Sequence, residues 1–461
     1  MASLNQQQKR VLMATSLSYV IVILDTSIVN VALPPIAADL GTGLSGLQWV
    51  VNAYTLAFAS LLLSGGMLGD RLGGRQVYLA GLAIFACASA LCGLAGALPV
   101  LVAARILQGV GAALLVPSSL TLINAVFPEA KPRAGAIGVW AGCGGVAMAA
   151  GPLAGGVLIQ LLGWRSLFWI NIPVIALGIG LTLRIAAVRP PLSLRQMDYA
   201  GQGTVIVALA TSVALLIEGA RLGWHSGWVL GGIVVAALSW LMFVVIERRS
   251  RQPMLPPALF RSAVFSASAW VSLVSAWVFY GAFFLLNLYF QEVRGWSPLQ
   301  SGLAFLPLTI MVTLGSFVSG RLIQAFGAGR VVYWSLLLYA LGFGGLLALA
   351  ESPPYWRIAL CFPLLGLAAG IITPAATAAL LNEVASERAG IAAGVLNAGR
   401  QSGSAFGVAI FGALMTAFHP LEKGIQFAVC GAIGLSLLTA VLWGLAIRFA
   451  ARAGGKRPGG S

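Results

Sequence analysis

The chain has 461 residues, of which 59% are hydrophobic and only 8% are Asp, Glu, Lys or Arg. So few charged residues cannot cover the surface of a soluble globular protein, and the composition therefore predicts an all-α polytopic membrane protein. The formal net charge of +15 would suggest nucleic-acid binding in a soluble protein, but in a membrane protein the basic residues belong first to the loops.

Fourteen apolar segments are long enough to cross the hydrocarbon core of a bilayer, which takes about 20 helical residues. An even number of spans puts both termini on the same side. Most of the 27 Lys and Arg residues fall in loops on that side, and this positive-inside bias predicts that both termini are cytoplasmic. The predicted spans are 11–33, 47–69, 77–97, 100–125, 134–160, 165–188, 199–219, 227–247, 264–290, 300–323, 330–350, 356–381, 389–417 and 424–448.

The first predicted span contains a carboxylate, Asp25. An Asp at the centre of a span costs about 2.5 to 3.5 kcal/mol on insertion scales, so such a side chain faces a partner or a cavity. A carboxyl group in that position can take up and release a proton, which indicates ion-coupled transport. The alternative is a protonated Asp25 that is hydrogen-bonded between helices.

An opposite charge, Arg105 in span 4, lies at about the same depth. At a rise of about 1.5 Å per residue, Asp25 lies about 21 Å and Arg105 about 22 Å above the cytoplasmic face of the bilayer core. We predict that the two side chains form a pair that separates during transport, so that Arg105 and a proton compete for the carboxylate. A permanent structural ion pair is the alternative.

The two halves of the sequence resemble each other. Residues 109–117 in span 4 are similar to residues 366–374 in span 12, which indicates an internal repeat. In transporters built from such repeats the substrate binds near the midplane between the halves, and the halves rock to give alternating access. The two predicted six-span halves are 1–188 and 263–450. The linker between them, with the two extra spans, is 189–262, and the cytoplasmic tail is 451–461.

Four stretches resemble signatures of the major facilitator superfamily. Residues 65–75 (GGMLGDRLGGR) resemble its loop signature between the second and third spans, and residues 105–113 (RILQGVGAA) resemble its proton-coupling motif. Residues 151–156 (GPLAGG) are similar to its antiporter motif. Residues 24–34 (LDTSIVNVALP) resemble the first-span signature of the fourteen-span drug:proton antiporters of the QacA/EmrB type. The resemblance covers nearly the whole chain.

This resemblance implies a major facilitator fold in the bacterial inner membrane and a proton-coupled multidrug efflux antiporter that exports lipophilic, often cationic, small molecules. It implies that the proton gradient supplies the energy without a cofactor or metal, and that the protein is a monomer in the lipid bilayer with no nucleic-acid partner. The first alternative is a substrate-specific exporter or a proton symporter of a metabolite. An enzyme is the least supported class, because the sequence contains no catalytic constellation or phosphate-binding loop.

The resemblance also implies roles in the conformational change for two groups of residues. A lock that holds the cytoplasmic side shut is expected from the group after span 2: Gly69, Asp70, Arg71 and Arg75. The alternative is that the basic residues of this group only set the topology. A close or bent helix contact, which distinguishes exporters from importers, is expected from the group in span 5: Gly151, Pro152, Gly155 and Gly156.

Candidate substrate-binding residues are aromatic and polar side chains within the spans. An apolar cavity with a few polar groups suits lipophilic compounds, although each aromatic ring is also a candidate for simple packing. Arg400 either binds an anionic group or donates to backbone carbonyls, and the second half lacks the intramembrane acids that would favour dicationic drugs. Glu218 either senses protons or is simply hydrated. The candidates are Asn30, Tyr54, Trp140, Tyr280, Phe284, Asn287, Asn397, Arg400 and Gln401.

Overall fold

The computed structural model describes residues 4–185, 198–250, 252–347, 353–384, 388–418 and 421–454. The first ten helices are α1 (Gln6–Val31), α2 (Leu33–Leu40), α3 (Leu44–Leu72), α4 (Gly74–Gly93), α5 (Leu98–Val126), α6 (Ala130–Leu162), α7 (Ser166–Trp169), α8 (Asn171–Leu183), α9 (Tyr199–Leu222) and α10 (Gly227–Arg249). The other seven are α11 (Ala263–Leu288), α12 (Pro298–Ala304), α13 (Leu306–Phe326), α14 (Ala328–Leu346), α15 (Tyr355–Leu381), α16 (Ala389–Ala417) and α17 (Leu421–Gly454). A 3-10 turn (Leu259–Arg261) precedes α11 and a π-helical turn (Tyr289–Val293) follows it.

Within the described residues, 13 helical segments are long and apolar enough to cross a membrane. The chain is therefore a polytopic helical membrane protein, as its composition predicts. Helix α16, which covers the predicted span 389–417, is long enough but is not among the thirteen. The polar side chains of Asn397, Arg400 and Gln401 lie in the middle of this helix and lower its mean hydropathy. The count of fourteen spans stays a prediction.

The first span shows how local chemistry sets the ends of a helix. Asn5 and Gln8 form a capping box at the start of α1, in which each side chain bonds the other residue's backbone N–H, at 2.7 and 3.0 Å. The helix ends at Val31, two residues earlier than predicted. Pro34 and Pro35 lack a backbone N–H and occupy the first turn of α2, where proline is tolerated.

The contacts of the described residues group the chain into two compact units. Unit 1 is drawn from 1–210 and 286–306, and unit 2 from 211–285 and 307–461. In unit 1, α1 packs against α6, and α5 packs against α3 and α4, whereas in unit 2 α14 packs against α15 and α17. These units are groups of spatial contacts. The predicted domain boundaries describe the repeat along the chain and stay a prediction.

Glycines allow helices in both units to approach each other closely. A Cβ added to Gly109 in α5 would lie 2.4 Å from the carbonyl oxygen of Tyr54 in α3. A Cβ added to Gly366 in α15 would likewise lie 2.4 Å from the carbonyl oxygen of Leu308 in α13. Neither position has room for a side chain, so the two glycines that correspond in the sequence repeat have the same packing role.

Candidate functional site

Helices α1 and α5 bring an acid and a base together in the interior of unit 1. Asp25 lies near the carboxyl-terminal end of α1, and Arg105 lies near the start of α5. Arg105 Nη1 donates to Asp25 Oδ2, and neither side chain is more than 1% exposed. Removing two charges from water costs several kcal/mol per ion, so a buried pair needs good geometry and additional hydrogen bonds.

Gln108 supplies those hydrogen bonds to both charges. It lies three residues after Arg105, on the same face of α5. Its Oε1 accepts from Arg105 Nη1 at 2.7 Å, and its Nε2 donates to Asp25 Oδ1 at 2.8 Å. Gln108 Nε2 also donates to Ser89 Oγ in α4 at 3.0 Å, and this hydroxyl accepts from Asn171 Nδ2 in α8 at 3.2 Å. Both oxygens of the Asp25 carboxylate are therefore occupied.

Helix α3 holds the rest of the guanidinium. Arg105 Nε donates to the carbonyl oxygen of Val50 at 3.1 Å. The guanidinium carbon lies 4.4 Å from the centroid of the Tyr54 ring, and the Phe168 ring lies on a second side at 5.9 Å. Both rings are within the range of a cation–π interaction, which is stronger where water is excluded. Tyr54, a predicted substrate-binding residue, thus contacts the ion pair directly.

The structure joins the two charges that the sequence places at equal depth. Their contact is compatible both with a pair that separates during transport and with a permanent one, so the separable pair stays a prediction. The hydrogen-bond network is compact: it draws on α1, α3, α4, α5 and α8 and lies wholly within unit 1.

The glycines predicted to mark an exporter pack against the helix that carries Asp25. A Cβ on Gly151 in α6 would lie 1.9 Å from Ser27 Oγ, and one on Gly155 would lie 2.7 Å from Ile28 Cγ1. The next glycine, Gly156, faces α12 instead, where its added Cβ would lie 2.7 Å from Leu299 Cα. Helix α6 therefore packs without a gap between α1 and α12.

Pro152 takes part in the same contact. Its carbonyl oxygen would lie 2.2 Å from a Cβ on Gly302 of α12. Pro152 lies inside the continuous helix α6, where proline removes one backbone hydrogen bond. The structure thus brings all four predicted residues of span 5 to one contact with α1 and α12, and their role in export stays a prediction.

Polar side chains at the end of α11 and in the π-helical turn that follows it bind the carboxyl-terminal end of α1. The last carbonyls of a helix have no partner within that helix. Here Asn287 Nδ2 donates to the carbonyl oxygen of Asn30, and Gln291 Nε2 donates to that of Val31 at 3.0 Å. Asn287 Oδ1 accepts from Gln291 Nε2 at 2.9 Å and from Ser301 Oγ at 3.1 Å. Asn287, a predicted substrate-binding residue, is fully hydrogen-bonded to protein in this structure.

The residues of the predicted cytoplasmic lock lie at the junction of α3 and α4. Gly73 joins these helices with a positive φ of 98°, which glycine adopts without strain. Arg75 donates to the carbonyl oxygens of Thr182 at 3.1 Å and Leu183 at 2.9 Å, the end of α8. Asp70 and Arg71 are exposed, and Gly69 is buried in α3. Arg75 thus caps a helix of its own unit, and the lock stays a prediction.

Two predicted substrate-binding residues of unit 1 carry buried polar atoms that lack a hydrogen-bond partner among the described residues. Trp140 is stacked on Tyr19 with ring centroids 3.7 Å apart, and its indole N–H is one such atom. Asn30 donates to the carbonyl oxygen of Thr26 at 2.9 Å, but its Oδ1 is another. Both side-chain amide atoms of Asn52 in α3 also lack a hydrogen-bond partner among the described residues.

The other candidates belong to unit 2. Arg400 Nη2 donates to Asn397 Oδ1 at 2.7 Å, and Asn397 Nδ2 donates to the carbonyl oxygen of Ala393 at 3.1 Å. Arg400, Asn397, Gln401 and Tyr280 are half-buried, and Phe284 is fully buried. Their role in substrate binding stays a prediction. Glu218 pairs with Arg221 one turn later, at 2.6 Å.

The sequence reasoning missed Gln108, Ser89 and Asn171 as members of the site. Gln108 could have been found, because it is a polar residue one helical turn from Arg105 within a predicted span. Ser89 and Asn171 lie on separate helices, and nothing in the sequence connects them to Asp25. Among the described residues, no group of three or more His, Cys, Asp or Glu side chains could hold a metal ion.

These features define a class of protein. Many membrane-length helices, glycine-mediated helix packing and a buried, hydrogen-bonded acid–base pair are the features of a secondary transporter. The chain belongs to the Major Facilitator Superfamily, whose sequence profile matches residues 15–408 and, in an overlapping match, residues 309–459. It is a transporter of that family and not an enzyme.

Relatives in this family are resistance and export proteins. The chain is 37% identical over 425 residues to the methylenomycin A resistance protein of Streptomyces coelicolor, covering 92% of this chain and 89% of the relative. It is 37% identical over 406 residues to the tetracenomycin C resistance and export protein of Streptomyces glaucescens, covering 88% and 75%. It is 36% identical over 428 residues to the multidrug resistance protein Stp of Mycobacterium tuberculosis, covering 92% and 80%.

Solved structures confirm the fold. A POT family transporter in complex with 5-aminolevulinic acid superposes with a TM-score of 0.72 at 15% identity, covering 95% of this chain and 96% of that one. An inward-facing bacterial homologue of the human lysosomal transporter Spinster gives a TM-score of 0.66 at 18% identity, covering 97% and 98%. At these identities the likeness concerns the fold alone, and it agrees with the major facilitator fold predicted from the sequence.

Proposed function

We propose that this chain is a proton-coupled multidrug efflux antiporter of the bacterial inner membrane, a fourteen-span member of the QacA/EmrB type with both termini in the cytoplasm. It exports lipophilic, often cationic, small molecules by alternating access, as a monomer that needs the proton gradient and no cofactor. The relatives support the export of drugs, since their names record antibiotic and multidrug resistance. The positive-inside bias of the loops supports the topology.

The observation that carries the proton coupling is that both oxygens of the buried Asp25 carboxylate accept hydrogen bonds. Arg105 and Gln108 donate to its two oxygens. A protonated carboxyl group is itself a donor and offers fewer acceptor sites, so it cannot keep both partners in the same arrangement. Proton binding and the intact pair are therefore alternatives. An acid that must exchange its partner for a proton is suited to link proton flow to a conformational change.

The residues around α1 suit the transmission of that change. Gly151 and Gly155 allow α6 to pack directly against α1. A shift of α1 on release of Asp25 would therefore displace α6. Gly69, Asp70, Arg71 and Arg75 are proposed to close the cytoplasmic side in one state of the cycle. Asp70 and Arg71 are exposed at the α3–α4 junction, which supports such a role.

A pocket for lipophilic compounds is proposed from the aromatic and polar candidates. The buried indole N–H of Trp140 and the Oδ1 of Asn30, which find no partner among the described residues, support it. Buried polar groups without a partner are costly, and a substrate with complementary polar atoms would satisfy them. Tyr280, Phe284 and Arg400 are further candidates for substrate binding.

The decisive experiment compares the intact protein with Asp25→Asn in proteoliposomes that carry an imposed pH gradient. We expect the intact protein to move ethidium, a lipophilic cation, against its concentration gradient only while protons flow the other way. Asp25→Asn keeps the shape of the side chain but cannot be protonated, so it should abolish gradient-driven transport while ethidium binding persists. Full gradient-driven transport by Asp25→Asn would contradict the proposed coupling.

Asp39→Asn is the matched control for this experiment. Asp39 is also paired with an arginine, Arg165, at 2.7 Å, but the two side chains are 45% and 39% exposed and Asp39 lies outside the spans. The loss of this acid should leave transport intact. If both variants fail equally, the defect of Asp25→Asn reflects loss of structure rather than loss of a coupling carboxylate.

A substrate-specific exporter or metabolite symporter is the second candidate, because two of the relatives are named for resistance to a single compound. The same vesicles separate the possibilities with a panel of unrelated lipophilic compounds. Transport of several chemical classes supports the multidrug function. Transport of one class supports a specific exporter, and accumulation that follows the proton flow supports a symporter.

A further inference from the structure

We propose that Gln108 is a positioning residue of the Asp25–Arg105 site. It holds Arg105 on α5, so that proton uptake releases Asp25, on α1, from a guanidinium that stays in place. This inference rests on the proposed proton coupling and extends it by identifying which partner moves. The alternative is that Arg105 swings away from a fixed Asp25.

The chemistry of the site accounts for the residue type at position 108. An arginine side chain can only donate hydrogen bonds, and an ionised aspartate can only accept them. A carboxamide is an uncharged group that offers an acceptor oxygen and a donor nitrogen side by side. Gln108 uses them in that way, with Oε1 on Arg105 at 2.7 Å and Nε2 on Asp25 at 2.8 Å. Leucine can serve neither partner, and glutamate can serve only Arg105.

The contacts of the two charges are unequal. Apart from Asp25, Arg105 is held by the Val50 carbonyl and the Tyr54 ring on α3 and by Gln108 on α5. None of these contacts involves α1. The Asp25 carboxylate bonds only to Arg105 and Gln108 among the hydrogen bonds described here, and both of these residues are on α5. When the pair breaks, the Asp25 side chain on α1 therefore loses its bonds to α5, whereas Arg105 keeps its other partners.

Gln108 is itself fixed independently of Asp25. Its Nε2 also donates to Ser89 Oγ at 3.0 Å, and Ser89 is held in turn by Asn171 at 3.2 Å. The carboxamide therefore keeps its orientation when the carboxylate becomes neutral, and its Oε1 remains available to the guanidinium. A buried guanidinium without an acceptor would be costly, so this second acceptor allows Arg105 to stay in the protein interior without its counter-ion.

The test measures directly whether Arg105 stays beside α3. A 4-fluorophenylalanine at position 54 replaces Tyr54, and its fluorine NMR signal responds to a guanidinium above the ring. Arg105→Gln provides the signal of a ring without a guanidinium. Asp25→Asn imitates the neutral carboxyl group. It is studied alone, with Gln108 unchanged, and together with Gln108→Leu or Gln108→Glu, in each case in the full-length protein in lipid nanodiscs.

We expect the fluorine signal to stay near the wild-type position in Asp25→Asn, and to move most of the way to the Arg105→Gln position when Gln108→Leu is added. Gln108→Glu should restore the signal, because a carboxylate also accepts from Arg105. A purely structural role would give the opposite order, since a buried glutamate disturbs packing more than leucine does. All three proteins carry Asp25→Asn, so the contrast among them reports the effect of the residue at position 108 on Arg105.

Two outcomes would overturn the proposal. If Asp25→Asn alone moves the signal to the Arg105→Gln position, Arg105 leaves α3 and α5 although Gln108 is present. If Gln108→Leu in the Asp25→Asn background leaves the signal unchanged, Gln108 is not what holds the guanidinium. Gln108→Met, an unbranched apolar side chain, replaces Gln108→Leu if that variant does not fold.

This measurement is independent of the transport assay. The fluorine spectra report the position of Arg105 whether or not protons drive export, and the vesicle experiment with Asp25→Asn tests the coupling. A chain that holds Arg105 through Gln108 but transports without a pH gradient would disprove the proposed function and leave the positioning role established. The reverse result would disprove only the role of Gln108.

Discussion

Helices α5 and α15 correspond in the sequence repeat, but only α5 carries a buried charge. When Gly109 is aligned with Gly366, Arg105 aligns with Phe362, which is also completely buried. Both glycines lie against the backbone of a neighbouring helix at the same distance. The two helices therefore share their packing and differ in the chemistry that they place in the interior.

The neighbouring position shows the same contrast. Gln108 aligns with Leu365, and each contacts the helix that precedes its own in sequence: Gln108 bonds Ser89 in α4, whereas Leu365 packs against Gly342 in α14. One fold thus accepts either a polar network or an apolar core at this place. Replacing a buried ion pair by apolar residues is often neutral or stabilising, so we expect that folding does not require the network in α5.

The largest effect is expected from removing one charge of the network. Arg105→Met leaves the Asp25 carboxylate buried without a cation, which costs about 3 to 5 kcal/mol. Phe362→Met at the aligned position of α15 exchanges one apolar side chain for another and should cost about 1 kcal/mol. Thermal unfolding in detergent, followed by tryptophan fluorescence, compares the two. Similar losses from both variants would mean that the two sites are equivalent and that the contrast has no energetic basis.

A double variant sharpens this comparison. Arg105→Met combined with Asp25→Asn removes both charges, so it should recover more than half of the stability that Arg105→Met loses. Transport should remain abolished, because no carboxyl group is left to bind a proton. If stability and gradient-driven export both returned, the pair would be a structural feature only.

Much of this contrast could be predicted from the sequence, and the reason is geometric. The rise of a helix converts residue number into depth, so Asp25 and Arg105 could be placed at one level from their distances to the ends of their spans. The repeat of Gly109 and Gly366 was visible for the same reason, since a close helix contact requires a small residue at a fixed position. Span number was less certain, because polar residues inside α16 reduce its hydropathy.

The rest of the site could not be predicted, because it depends on rotation about helix axes and on contacts between distant helices. Ser89 and Asn171 meet Gln108 only through the packing of α4, α5 and α8. The Asn287 carboxamide bonds the Asn30 carbonyl at the end of α1, and Gln291, in the π-helical turn, bonds the next carbonyl, that of Val31. A hydropathy pattern gives the depth of a side chain and not its direction.

An intermediate effect is expected from the packing that the two helices share. Alanine at Gly109 or Gly366 would place a Cβ 2.4 Å from a backbone oxygen, and overpacking of this kind typically costs about 1 to 3 kcal/mol. The two variants should lower the unfolding temperature to a similar degree. Gly138→Ala in α6 is the control, since nothing lies within 4 Å of its added Cβ and alanine favours a helix by up to about 1 kcal/mol. A large difference between Gly109→Ala and Gly366→Ala would break the structural correspondence of α5 and α15.

The smallest effect is expected at an exposed counterpart of the buried pair. Hydrogen bonds from Arg165 at 2.7 Å and Trp164 at 3.1 Å hold the pKa of Asp39 below its usual range. Because this pKa is lower in the folded than in the unfolded chain, the pair stabilises the fold above the ordinary Asp value of about 3.9, and the contribution disappears as the pH falls through the folded pKa. Water and salt screen this pair, so Asp39→Asn should lower the unfolding temperature only slightly at pH 7, and less still in high salt or acid. A loss as large as that of Arg105→Met would show that burial is not what separates the two Asp–Arg pairs.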